Sequence, residues 1–437
     1  MILHTKKVSE SMSLTALQTD RFKTGVLTFT LYLPLTPEYT ALHILLAGMM
    51  RRGTEKYPSV AAINRRLDEL YATDVEIRST KLGNNLLFTI TTEMLDPRYV
   101  PDEEKLLSGV IETIAELLLH PIVKNESFDE AALRGEVRIA LDALKAEINN
   151  TRAYAVTRCC EQMYRNAPHY PTVEAVKKHI TAANASMLYA HYRMLLSTSP
   201  IDVFYVGSVA PDEVATALKQ AFSSLPIPTE RSILLPSPAV PLDTVALVEK
   251  MPVAQGKLAM GFRTGVCATS EGNAPYVALL LNELFGGSAA SKLFLNVREK
   301  MSLCYYCSSS YSIYTGDLMV SSGIEVKNRT VAEAAIREQM EEIRRGNVAE
   351  AELCAAKKSL INCYRQLEDN PLELQAFYSA RRLFGMDDPI DVCCEKIAAV
   401  DLEDIVSLAK ATVCDTVFFV EGTRIAEDRN EEDADDE

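Results

Sequence analysis

Apolar and polar residues alternate through Val26, Thr28, Thr30 and Leu31, the period-two signature of a half-buried strand. Residues 41–50 and 61–70 instead place apolar residues three and four apart, which predicts two helices, and residues 86–91 return to the strand period. The same order then repeats. Residues 257–262, 276–284, 291–300 and 317–323 read as strand, helix, helix and strand. Each series runs into a pair of long helices, 103–119 with 129–149 and 331–345 with 349–366. Each ends in a short apolar strand closing on glycine, 201–207 and 416–422. An internal repeat of this length outweighs any single motif, because it predicts two copies of one supersecondary plan.

The Pro-rich stretch 225–245 separates the copies and cannot continue a helix or a central strand. The predicted domains are therefore 1–224 and 246–425, joined by that linker and followed by an acidic tail, 426–437. Strands segregated from long helices predict an α+β fold, in which each domain is a mostly antiparallel sheet packed by helices. The length of 437 residues, with 48% hydrophobic and 24% charged, suits two soluble cores.

The net charge is −15, and residues 427–437 hold eight acids against Arg429. With no basic cluster, the chain lacks the electrostatic footprint of a nucleic-acid binder. No window approaches the ~20 apolar residues of a membrane span, and the start of the chain lacks a signal-peptide core. A cytoplasmic location is expected, and the ten cysteines fit it as reduced thiols. Only Cys304 and Cys307 have C-x-x-C spacing, and no second pair is present to complete a tetrahedral metal site. No metal or other cofactor is expected. The histidines 120, 169, 179 and 191 share no ligand spacing, and the tyrosines 305, 306, 311 and 314 follow strand faces.

The duplicated halves resemble the insulinase/pitrilysin zinc-peptidase superfamily, which includes mitochondrial processing peptidase, over about residues 10–425. In that family a helix of the first half carries His-x-x-Glu-His, whose two imidazoles hold zinc while the Glu activates water. A Gly-Thr follows closely. Here Met49, Met50, Arg51, Arg52, Gly53 and Thr54 match the downstream stretch, which puts the catalytic positions on Ile44, Ala47 and Gly48. None of these side chains offers a lone pair. The neighbouring His43 has Leu46 and Ala47 at i+3 and i+4, so shifting the register does not restore the motif. The family's third ligand is a Glu on a later helix, and Glu147 lies in a similar context.

The second half keeps more of the pattern. The run Gly286, Gly287, Ser288 through Phe294 resembles the family's glycine-rich loop, and Arg298 with Tyr305 resembles its R-x(6)-Y pair, which reaches the substrate peptide in active relatives. Arginine can grip a peptide carbonyl or carboxylate, and a phenol can donate to an oxyanion. Against this, the glycines could simply cap a helix and Arg298 could pair with a surface acid. The stretches from Thr19 to Thr24, Leu67 to Tyr71 and Tyr154 to Cys159 resemble the inactive bacterial YmfF-type group. That resemblance implies a related partner subunit retaining His-x-x-Glu-His, in a split peptidase acting on a peptide or protein. The group is linked both with bacteriocin maturation and with elongation factor P modification. Two other expectations stand beside it: a stand-alone scaffold or peptide-binding pseudo-peptidase, and an enzyme with a relocated metal or thiol centre.

Overall fold

A computed structural model describes residues 3–101, 103–229, 233–235 and 243–423. The acidic tail lies outside the described residues, as does much of the Pro-rich linker.

The first sheet has six strands: β1 (Leu3–Lys7), β2 (Met12–Gln18), β3 (Thr24–Pro34), β4 (Asp74–Leu82), β5 (Asn85–Leu95) and β6 (Ile201–Gly207). Their order is β1-β2-β6-β3-β5-β4, antiparallel except for β2 beside β6. The second sheet holds β7 (Val245–Met251), β8 (Gly256–Arg263), β9 (Cys304–Ser312), β10 (Asp317–Ile324) and β11 (Val413–Gly422). Its order is β7-β11-β8-β10-β9, with β7 parallel to β11. Each copy thus ends on the strand that enters the middle of its sheet, as the paired glycine-closed strands predict. Strand β9 is the run whose tyrosines follow strand faces in the sequence, whereas β1, β2, β4 and β7 lie outside the segments that the sequence pattern marked as strands.

Alternation on β3 sends Leu27, Phe29 and Leu31 into one core with Phe88 and Ile90 of β5. Helices Pro37–Met50 and Glu103–Leu119 close that core with Leu45, Leu46, Ile111 and Leu118. Helix Pro37–Met50 starts where the Tyr39 N–H donates to the Thr36 side chain, with proline at the first turn.

The compact units are not the sequential halves. Residues 146–168 belong with the second sheet, and residues 366–387 with the first. Helix Thr151–Met163 lays Ala155, Cys159 and Met163 against Ala259, Met319, Phe418 and Val420 of the second sheet. Helix Pro371–Arg382 covers the first, where Tyr378 stacks on Phe204 with ring centroids 6.4 Å apart. The pattern of each helix shows an apolar face but not which sheet it serves, so the boundaries 1–224 and 246–425 miss the exchange.

The two covered faces differ in chemistry. Under Pro371–Arg382 the sheet presents Thr28, Thr30, Thr89, Thr91 and Asp202, and a cavity of about 630 Å3 remains. The second face is fastened by Arg263, which is 2% exposed. Its guanidinium donates to Asp317, to Asp415 at 3.3 Å and to the carbonyl of Met163 at 2.7 Å. It also lies 4.5 Å above the Tyr164 ring, whose hydroxyl donates to Asp317 at 2.6 Å. Removing one partner from such a buried network leaves uncompensated charge. Arg263→Met is expected to lower stability by about 3–5 kcal/mol, measured as a shift of the urea midpoint by circular dichroism. A loss below about 1 kcal/mol, the range of an exposed pair, would show that the network does not hold the helix.

Candidate functional site

On helix Pro37–Met50, Ala47 is buried and Ile44 is half-buried against the core. Gly48 lies under Glu136 of helix Glu130–Ala146: a Cβ at Gly48 would come within 2.6 Å of the Glu136 carboxyl carbon. Arg52 Nε donates to Glu136 at 2.6 Å. The space beside Gly48 is therefore filled by a carboxylate whose charge an arginine already answers. Such a carboxylate does not supply a metal, and Ile44 and Ala47 add no donor. Glu147 is placed elsewhere, exposed in the 3-10 turn Glu147–Asn149 that follows the helix. The carboxylate that reaches Gly48 comes from Glu136, and its sequence signal is the bare Gly48 facing a helix that also carries Gly135, which clears space for Arg52. Among the described residues no group of three or more His, Cys, Asp or Glu side chains could hold a metal ion. Zinc does not fit this chain's residues at the degenerate motif.

His43 turns inward, fully buried, with its ring centroid 5.0 Å from that of His191 and 5.3 Å from Phe88. Neither imidazole has a hydrogen-bond partner among the described residues. Burial, then the nearby His191 charge, pushes His43 well below its ordinary value, and burial lowers His191 to about 4.

The second candidate region gathers on β9, the edge strand of the second sheet. The chain before it is wound in π-helical turns, Glu283–Gly287 and Leu293–Lys300, a winding that often marks functional segments. Gly286 and Gly287 have packing reasons. A Cβ on Gly286 would lie 2.6 Å from the backbone nitrogen of Ser309 on β9, and one on Gly287 would lie 2.7 Å from the side chains of Asn282 and Glu283. Ser288 is extended and its carbonyl accepts from the Ser291 hydroxyl at 2.6 Å. The glycines thus let the loop seat against the edge strand.

Arg298 lies with its guanidinium 4.6 Å over the Phe294 ring and 3.6 Å from Glu299. Tyr305 is 63% exposed. No hydrogen bond joins it to Arg298, and both side chains reach solvent beside β9. The ladder explains why Tyr305 stands out. Tyr306 pairs with Gly323, but Cys304 pairs with Ile324, so Tyr305 is the extra residue of a bulge. The other tyrosines are held in place: Tyr306 under Arg152 at 4.2 Å, and Tyr311 donating to the Val266 carbonyl at 2.7 Å.

A family model described as the peptidase M16 inactive domain matches residues 182–360. The chain is also 31% identical over 410 residues to a protein of Bacillus subtilis named "Probable inactive metalloprotease YmfF", covering 93% of this chain and 95% of that one. The chain belongs to the peptidase M16 family. A conserved protein from Enterococcus faecalis shares the fold, with a TM-score of 0.87 at 25% identity over 96% of this chain and 98% of that one. A peptidase M16 inactive domain from Pseudomonas fluorescens shares the fold at a TM-score of 0.78 and 15% identity, covering 97% and 99%. Two insulinase-type α+β domains are thus what the repeat in the sequence encodes, in an inactive-type M16 homologue.

Two outcomes follow for the M16 helix. Gly48→Ala forces Glu136 aside and strains the Arg52 pair, costing about 1–3 kcal/mol in thermal or urea unfolding. Acid acts on the histidine pair. The unfolded chain titrates these imidazoles near 6.5 and the folded chain lower, so the unfolded state binds more protons in between and stability falls as pH drops from about 6.5 toward 4. Urea midpoints compared near pH 7.5 and near pH 5 should show that loss, and His191→Leu should reduce it.

Proposed function

We propose that this chain is a non-catalytic, peptide-binding subunit of a heteromeric M16 zinc peptidase. A partner with His-x-x-Glu-His supplies the metal, and this chain supplies the edge strand β9 with Arg298 and Tyr305. The observation that carries the reading is the contrast between the two units. Glu136 and Arg52 close the degenerate helix of one, while in the other the edge strand β9 carries the solvent-exposed Tyr305 and Arg298 lies half-exposed on the helical segment before it. An extended peptide adds to such an edge through main-chain hydrogen bonds, and nearby side chains select what is held. Arg298 is suited to a carbonyl or carboxylate of that peptide, and Tyr305 to a second carbonyl. Gly286, Gly287 and Ser288 act by seating the loop behind β9.

We place the subunit in the cytoplasm, a reading supported by its ten cysteines, all of them free thiols. No helix among the described residues is long and apolar enough to cross a membrane.

The test mixes the purified chain with a homologue from the same source that retains His-x-x-Glu-His and measures cleavage of a peptide library. Association and cleavage that needs both chains are expected. Arg298→Ala should lower kcat/KM by roughly 10–100-fold, the scale of a lost charge-assisted hydrogen bond, without changing thermal stability. No association, together with cleavage indifferent to Arg298, would leave the stand-alone scaffold as the reading.

A further inference from the structure

Cys304 and Cys307 flank Tyr305 and take no part in the peptide grip. Residues three apart on a regular strand face opposite sides of a sheet. The bulge at Tyr305 changes that. Cys307 pairs with Ser322 and Cys304 with Ile324, two residues apart on β10, so the two cysteines fall on the same face in successive slots. Their Cα atoms are then about two strand rises apart, roughly 6.6 Å, near the upper end of the ~4.4–6.8 Å that a disulfide spans. Cys307 is buried and Cys304 half-buried in those two slots. We propose that Cys304 and Cys307 form a reversible dithiol–disulfide couple, a redox modification site that resets the bulged Tyr305.

The surroundings divide the roles. Cys304 is half-buried and reachable, while Cys307 is buried behind it. The neighbouring Cys307 thiol and the Arg298 charge favour a thiolate at Cys304 and bring it down to about 7, whereas the adjacent Cys304 and burial push Cys307 up. An accessible thiolate with a resolving thiol beside it is the arrangement of a redox-sensing pair. The oxidant is a hydroperoxide. The Cys304 thiolate attacks its terminal oxygen: an S–O bond forms, the O–O bond breaks, and an alcohol or water leaves with a proton, giving the sulfenic acid. The Cys307 sulfur then attacks Cys304. The S–S bond forms, the S–O bond breaks, and hydroxide departs as water with the Cys307 proton. An external dithiol reverses the state by exchange.

Closing the bond shortens the strand at its start, just after the turn in which Ser302 has a φ of +51°. Tyr305 has no slot in the ladder, so its backbone takes up the change and its exposed phenol is redirected. The chemistry stands on the strand geometry alone, while its effect on peptide binding rests on the function proposed above.

The reduced full-length chain is treated with graded hydrogen peroxide, alkylated and mapped by peptide mass. The peptide holding both cysteines should become lighter by two hydrogen atoms and resist alkylation at peroxide levels that leave the exposed Cys354 a free thiol. Dithiothreitol should restore both sites. Cys307→Ser should stop at a sulfenic acid trapped by dimedone, and Cys304→Ser, a change at the half-exposed position, should abolish the reaction even if the buried variant folds poorly. Oxidation of Cys354 before either cysteine of the pair, or free alkylation of both after treatment, would overturn the couple. In the partner assay, the oxidised chain should support cleavage only at the level of Tyr305→Phe. A disulfide that forms without changing cleavage keeps the couple and overturns its link to Tyr305.

Discussion

A buried guanidinium decides how this chain is put together. Arg263 sits almost wholly out of water and must find compensation where it lies. It takes that compensation from two carboxylates on neighbouring strands, Asp317 on β10 and Asp415 on β11, and from the carbonyl that ends helix Thr151–Met163. The last bond joins a segment of the first half to the second sheet. Hydrophobic contact alone would hold the helix without fixing its register, since apolar burial is non-directional. The charged node gives it one position, and Arg165, reaching Asp415 and the carbonyl of Asp243, extends that fixing past the helix end.

The two copies of the repeat have spent their covered faces differently. In the second unit the face is filled by methionine, cysteine and phenylalanine around the Arg263 node. In the first it is built of threonines, with Thr28 and Thr91 sharing a hydrogen bond at 3.2 Å across β3 and β5. The degenerate helix shows the same divergence from the opposite side. With no side chain at Gly48, Glu136 and Arg52 occupy the room beside the helix as an ion pair. Restoring histidines alone would meet that pair as an obstacle.

Much of the fold was legible because it rests on local periodicity. Strands near Val26 and residues 86–91, the long helix pairs and the glycine-ended final strands all carry their period in the sequence. Three things did not show. Which sheet a helix covers is a long-range choice that the helix face does not encode, so 151–163 and 371–382 read as ordinary members of their own halves. The carboxylate near Gly48 depends on how two helices cross, and Glu147 could not be told from Glu136 by helical context. The bulge at Tyr305 turned a run of tyrosines that looked like core into one exposed phenol and several fastened ones.

The exchanged helices also set an order of events at the ribosome. The first sheet is complete in the chain once Gly207 has been made, yet its covering helix begins only at Pro371. Helix Thr151–Met163, emerging earlier, packs on strands that follow it by about 100 to 260 residues, β8, β10 and β11. Until then the first sheet waits without its covering helix, and the apolar face of Thr151–Met163 waits for the strands of the second sheet. Neither sheet can therefore be covered by helices of its own sequential half alone, and folding of each unit has to wait for a distant segment of the chain.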